Sequence, residues 1–256
     1  TRYETLFPYT TLFRSAMKIE KLQLTPAYQA LSVDLRQRIV AGEIQPGEPL
    51  PTEADLAQSY GVHRSTVREG LRHLEQDGLL KRAGKKLMVT VPSSDKLAQS
   101  AERALRMRQV SYRDVWELAL VLEPLCAELA ARRITADELA ALERNLARTR
   151  EAVSAGASPV QETIEFQALV AEASHNQALI LARGPVSLLM RAGYATIAAA
   201  LPQSGTRLLQ AHTRIHDALA QGDATAAVNW MRRHMEDYRR GSDLAGVDMD
   251  QPIPGD

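Results

Sequence analysis

Apolar positions along the chain keep a helical period except over one short stretch. Tyr28, Leu31, Leu35 and Ile39 form a stripe at spacings of three and four, which predicts a first helix opened by Thr25 and Pro26 as N-cap and first-turn proline and stopped near Gly42. EIQPGEPLPT then reads as a proline and glycine loop. Thr52 with Asp55 three residues on predicts a capping box, and Leu56 and Tyr60 give a short second helix ended by Gly61. In GVHRSTVREGLRHLEQDG, Val67, Leu71 and Leu74 make one side of a third helix apolar. After Gly78 the period drops to two: Leu79 and Leu80, a turn over Ala83-Gly84-Lys85-Lys86, then Leu87, Val89 and Val91 alternating with Met88 and Thr90 predict a hairpin.

Beyond Pro92 every pattern is helical. Leu97, Ala101 and Leu105 mark a weak stripe. Ser111 with Asp114 opens a long helix through Val115, Leu118, Leu122, Leu125 and Leu129, and Thr135 with Glu138 opens another, ending near Gly156. Ser158-Pro159 starts a third, through Ile164, Phe166 and Leu169. Segments 177–200, 205–221 and 223–240 complete the series, with Pro185, Pro202 and Gly222 as breaks. The predicted fold is mainly α: an N-terminal winged helix-turn-helix over 18–92 with a small β-hairpin wing, a linker helix over 93–110, and an all-α helical bundle over 111–240. Residues 241–256, rich in Gly, Asp and Pro, read as a disordered tail. Residues 1–17 show no periodicity and read as a non-native or disordered extension.

Formal net charge is zero, which argues against a general polyanion binder. Its distribution is uneven. Residues 17–92 carry 11 Lys or Arg against 9 Asp or Glu, and seven of those basics lie between Arg64 and Lys86; the chain after Pro92 has 18 against 21. No apolar run reaches the roughly 18 residues of a membrane span. Cys126, the single cysteine, excludes an intramolecular disulfide and fits a reducing cytoplasmic setting; as a buried hydrophobe it has no catalytic context.

The chemistry begins on the polar side of the third helix. Arg64, Arg68 and Arg72 fall at spacings of four and Ser65 and Thr66 open the helix, so guanidinium forks and hydroxyls face outward together. Arg can take guanine O6 and N7 bidentately, and Ser or Thr can serve a base edge or a phosphate. The bland alternative is a solvated helix face. Gly84 and Lys85 sit at the hairpin tip, as a wing on a phosphate backbone needs.

IVAGEIQPGEPLPTEADLA, YGVHRSTVREGLRHLEQDGLL and the hairpin resemble, in order and spacing, the GntR family of bacterial transcription regulators over Tyr28 to Val91. The resemblance implies operator contacts from Arg64, Thr66 and Arg68 and a wing-tip role for Gly84. His63 stands where the family has a capping Ser or Thr, Ala54 where it has Arg, and Gly70 where it has Ala, a change that weakens a helix by about 1 kcal/mol. WELALVLEPLCAELAARR, EFQALVAEASHNQAL and HTRIHDALAQGDATAAVNWMRRH are similar to the FCD effector-binding domain of the FadR-type branch.

Many FCD domains bind a metal through an aspartate and three histidines, beside an arginine that takes a carboxylate effector. This chain has Thr163 and Gln167 at the first two ligand positions, His212 and His234 at the other two, and Ala119 in place of the arginine. Two imidazoles alone are a poor zinc site, which wants three or four protein ligands. His212 shares a side with Leu208, Ile215 and Leu219, and His234 falls four from Trp230 and from Tyr238, so both should point inward and be hydrogen-bonded to neighbours such as Thr163 or Gln167. His216 is expected at the surface. Arg191 and Tyr194 are possible pocket polar groups, with a snorkelling Arg and a core Tyr as the alternative. His175-Asn176 reads as a helix C-cap.

The reading is a ligand-responsive DNA-binding transcription regulator, a repressor rather than an enzyme. It would bind a short palindromic operator as a homodimer and take a small metabolite, with an organic acid as a candidate, at Thr163, Gln167, Arg191, His212 and His234. No cofactor is assigned; a divalent metal would have only His212 and His234. The alternatives are a DNA-binding regulator without small-molecule response and a helical metalloenzyme using those histidines, which lacks a carboxylate partner and a nucleophile and base pair.

Overall fold

The computed structural model describes residues 25–254. The expectation for residues 1–17 lies outside them. The chain divides into two compact units between Val91 and Pro92.

The N-terminal unit holds α1 (Ala27–Val40), α2 (Glu53–Tyr60), α3 (Arg64–Gln76), β1 (Leu80–Ala83) and β2 (Lys86–Val89). Leu31, Leu35, Leu56, Val67, Leu71 and Leu74 close one core. Thr52 and Asp55 form the expected reciprocal cap, and Gly61 ends α2 in the left-handed conformation, so the turn into α3 is tight. At α1 the start shifts by one: Pro26 occupies the cap, and the chain enters without a side-chain capping bond. The hairpin pairs Leu80 with Val89 and Ala83 with Lys86 across a two-residue turn at Gly84, whose φ of 61° suits glycine. The loop before α2 also pairs with β2, Val89 N–H donating to Glu48 O at 2.9 Å and Leu50 N–H to Leu87 O at 2.8 Å. Its prolines and glycines masked this pairing in the sequence.

Gly70 is not a weakness. A Cβ there would lie 2.7 Å from Leu31 Cδ2 and 2.9 Å from the Tyr28 carbonyl oxygen, so glycine is what lets α1 cross α3 closely. Gly70→Ala is therefore expected to lose about 1–2 kcal/mol in urea denaturation, the overpacking outweighing the gain in helix propensity. A stabilised variant would show that α1 yields at no cost.

In the second unit α4 (Ser94–Met107) packs on α8 (Gln177–Ala200), and α5 (Tyr112–Arg133) is the central helix, contacting α7 (Val160–Ala173), α8, α9 (Ser204–Ala220) and α10 (Ala224–Leu244). α6 (Ala136–Ser154) covers α7 and α9. The 93–110 segment is thus part of the helical body. The capping boxes at Ser111–Asp114 and Thr135–Glu138 form as read. Pro185 does not break α8, which runs through it, as α5 runs through Pro124. Asn176 is not a C-cap: His175 takes the left-handed position (φ 50°) that ends α7, and Asn176 caps α8 by accepting from Ala178 and Leu179 N–H.

Two further expectations are corrected. On α5 the core side is made by Val115, Ala119, Cys126, Ala127 and Ala130, whereas Leu118, Val121 and Leu125 are exposed. Small residues face the bundle because so many helices crowd α5. Residues 242–254 are not a loose tail. α10 continues to Leu244, and the chain returns to bury Met249 and Ile253; the Met249 carbonyl accepts from Arg113 N–H at 2.8 Å, and Arg113 pairs with Asp250. The tail thereby satisfies a first-turn amide of α5 that would otherwise lack a partner.

Candidate functional site

The polar side of α3 is exposed, as its period predicts. Arg64, Ser65, Arg68 and Arg72 are exposed on α3 and Thr66 is half-buried, while Val67, Leu71 and Leu74 fix the opposite side in the core. His63 occupies the N-cap without a side-chain hydrogen bond, so the first-turn amides of Arg64 and Ser65 remain available to an anion. Gly84 and Lys85 form the exposed tip of the hairpin, with Lys81 and Lys86 exposed beside them.

The arginines differ in a way the sequence did not show. Arg68 donates from Nη2 to Glu53 Oε2 at 2.9 Å and from Nε to Glu53 Oε1 at 3.4 Å, a fork across α3 and α2. That bond holds the Glu53 carboxyl below its usual pKa range, with further help from the Arg82 and Arg64 charges. Arg72 is held by Glu69 at 3.0 Å and Arg82 by Glu75 at 3.1 Å. Arg64 has no ion-pair partner among the described residues. Glu53 was missed because only the turn between α2 and α3 brings it to Arg68. Glu53→Gln should weaken discrimination between operator and random duplex by about fivefold, while random-duplex binding rises because one negative charge is gone. Equal shifts on both duplexes would mean that Glu53 does not aim Arg68.

In the second unit, Thr163, Gln167, His212 and His234 are all buried. Gln167 Nε2 donates to Tyr194 Oη at 2.9 Å and lies 3.3 Å from His234 Nε2. Thr163 Oγ1 donates to the Pro159 carbonyl at 2.7 Å, turned onto its own helix. His212 stacks on Phe166 with ring centroids 3.9 Å apart and meets His234 edge-on at 4.8 Å. The hydrogen bond expected for His234 is present, whereas both ring nitrogens of His212 lack a partner among the described residues. Burial lowers the pKa of His234 to about 4 and that of His212 well below the ordinary value.

This set does not fit a metal. Thr163 and Gln167 can offer only neutral oxygens, the Thr163 hydroxyl already bonded to the Pro159 carbonyl, and no group of three or more His, Cys, Asp or Glu is placed to hold an ion among the described residues.

Arg191 does not belong to the site: it is exposed and bonds Gln161. Tyr194 is a buried wall residue, edge-on to Tyr238 at 4.8 Å. His216 is partly buried, with Nε2 unpartnered among the described residues and Nδ1 3.6 Å from Asp217. A cavity of about 130 Å³ opens between α7, α8, α9 and α10. Thr163, Tyr194, His234 and Tyr238 supply its buried polar wall, and Val160, Ile197, Leu201, Leu208 and Leu244 its apolar wall. Gln167 supports it from behind, and His212 lies outside its lining.

A winged helix-turn-helix joined in one chain to an all-helical unit with an internal cavity defines a class, the DNA-binding transcription regulators with a separate helical domain. Residues 27–86 match the bacterial regulatory proteins of the gntR family and residues 114–237 match the FCD domain. A Streptococcus agalactiae GntR structure is similar over 83% of this chain and 99% of that one, at 30% identity and a TM-score of 0.64. The chain belongs to the GntR family, in its FCD-bearing form. Among curated relatives, LutR of Bacillus subtilis is 29% identical over 76% of this chain and 91% of its own length. The galactonate operon transcriptional repressor of Escherichia coli is 27% identical over 76% and 87%. YdhC of Bacillus subtilis is 31% identical over 60% of this chain, and the match spans 64% of YdhC, just under two thirds. These relatives are transcription regulators, not enzymes. No helix among the described residues is long and apolar enough to cross a membrane.

Proposed function

We propose that this GntR-family regulator is a repressor that binds a short palindromic operator as a homodimer and responds to a small metabolite held in its helical domain. The exposed α3 face carries the reading: an uncommitted Arg64, an Arg68 aimed by Glu53, and open first-turn amides, beside a basic wing tip. Two such helices, one per protomer, match two half-sites in successive major grooves. The cavity between α7 and α10 favours a small-molecule response over a regulator without one.

A mobility-shift titration on the natural upstream region tests this. Arg64→Ala should weaken operator binding about tenfold or more with the fold intact by far-UV dichroism. Unchanged affinity in the folded variant would remove α3 from base reading.

The exposed apolar face of α5 supports the second copy. Leu118, Val121 (64% exposed) and Leu125 follow one another at spacings of three and four, an uncovered stripe of the kind that pairs with its symmetry mate. Light scattering of the full chain should report a dimer at tens of micromolar (roughly) and a monomer for Val121→Glu, where a charge would be buried without a partner. A Val121→Glu dimer would place the interface elsewhere.

A further inference from the structure

The cavity has a polarity of its own. Its deep wall is uncharged, with Tyr194 Oη, the Thr163 hydroxyl and the His234 imidazole all in residues less than a tenth exposed. Its charges belong to exposed or half-exposed residues, Arg207, Asp237 and Arg240. Asp237 is taken by Arg240, whose Nη1 donates to Oδ1 at 2.9 Å. Arg207 has no ion-pair partner among the described residues, so the rim carries one uncommitted positive charge. At about 130 Å³ the space is ring-sized, since a cavity near 150 Å³ takes benzene.

We propose that the cavity takes a single-ring acid held in one orientation: ring and an uncharged hydroxyl inward, carboxylate outward on Arg207. This rests on reading the helical half as effector-binding, and it replaces metal-held carboxylate capture with the opposite polarity.

A carboxylate pushed inward would meet Tyr194, Thr163 and His234 with neither a cation nor a metal to offset its desolvation. A hydroxyl pushed inward meets partners. Tyr194 Oη already accepts from Gln167, and its own proton is only loosely engaged at 3.5 Å from His234 Nε2, so it can turn to an incoming oxygen. The ring fills the space between Ile197, Leu201 and Leu208. At the rim, Arg207 is long enough to follow a carboxylate and remains solvated when none is present.

Calorimetric titration of the full chain with four probes tests the orientation: 4-hydroxyphenylacetate, phenylacetate, 4-hydroxyphenylethanol, and citrate with equimolar zinc. 4-Hydroxyphenylacetate should bind tightest, with phenylacetate and 4-hydroxyphenylethanol each about fivefold weaker. Arg207→Gln should weaken the two acids about fivefold and leave the alcohol unchanged, whereas Tyr194→Phe should weaken the two phenols and leave phenylacetate unchanged. Equal losses on every probe, no binding by any ring compound, or zinc-citrate binding above the ring compounds would each overturn the proposal. Operator titration of the same preparation without probe keeps the two readings apart. Operator bound with no ring compound bound defeats the ligand class alone; ring compounds bound with no operator bound defeats the regulator reading alone.

Discussion

Arg183→Leu is expected to lower the stability of the helical domain by about 3–5 kcal/mol. Arg183 on α8 donates from Nε to Glu123 Oε1 on α5 at 3.0 Å, and both side chains are almost wholly buried. Removing the guanidinium leaves a carboxylate in the core with nothing to offset its desolvation. Intact, the pair is itself imperfect: Glu123 Oε2 and Arg183 Nη2 have no partner among the described residues. Glu123→Leu combined with Arg183→Leu should therefore recover most of the loss, because an apolar pair of similar volume carries no unmet polar groups. Urea denaturation of the two single variants and the double variant checks this. Additive losses in the double variant would show that the two side chains act independently.

Acid sensitivity is the second large effect. His212 and His234 are buried and neutral, with pKa values below that of an unfolded histidine, so as pH falls the unfolded chain takes up protons first. Their contribution is fully present above about pH 6.5 and declines below it; for His234 the loss levels off near pH 4, where the folded form protonates as well. Each histidine should cost about 1.4 kcal/mol between pH 7.5 and 5.5, close to 3 kcal/mol for the pair. His212→Leu should remove about half of that dependence. Urea midpoints at the two pH values read the outcome, and a pH-independent midpoint in the unsubstituted protein would mean that the imidazoles reach solvent.

Of the α3 surface, the sequence revealed the display but not the wiring. Arg64, Ser65, Arg68 and Arg72 could be placed on one helix side because a period of 3.6 fixes which residues share a face. Glu53 could not be tied to Arg68, since the two are fifteen residues apart and meet only through the α2–α3 turn. In the helical half, the neighbours of His212 and His234 turn both inward, while for Arg191 the sequence left a pocket group and a snorkelling surface residue both open. A basic residue in an apolar run can bury its stem and leave its head in water, and Arg191 bonds Gln161 at the surface.

By itself the sequence determined the class of fold, the order of helices, hairpin and helical body, the capping boxes at Thr52, Ser111 and Thr135, and the incompleteness of the metal set. These depend on local periodicity, on side chains bonding their own backbone, and on residue identity. Tertiary structure decided that Gly70 is a contact and not a defect, that Leu118 and Leu125 face out while Ala119 and Cys126 face in, and that residues 249–253 fold back onto the start of α5. It also decided that Tyr194, Tyr238 and Arg207 share a cavity with His234. Each of these depends on how closely two elements distant in sequence approach, a distance set by the side chains of both partners together, which neither segment encodes alone.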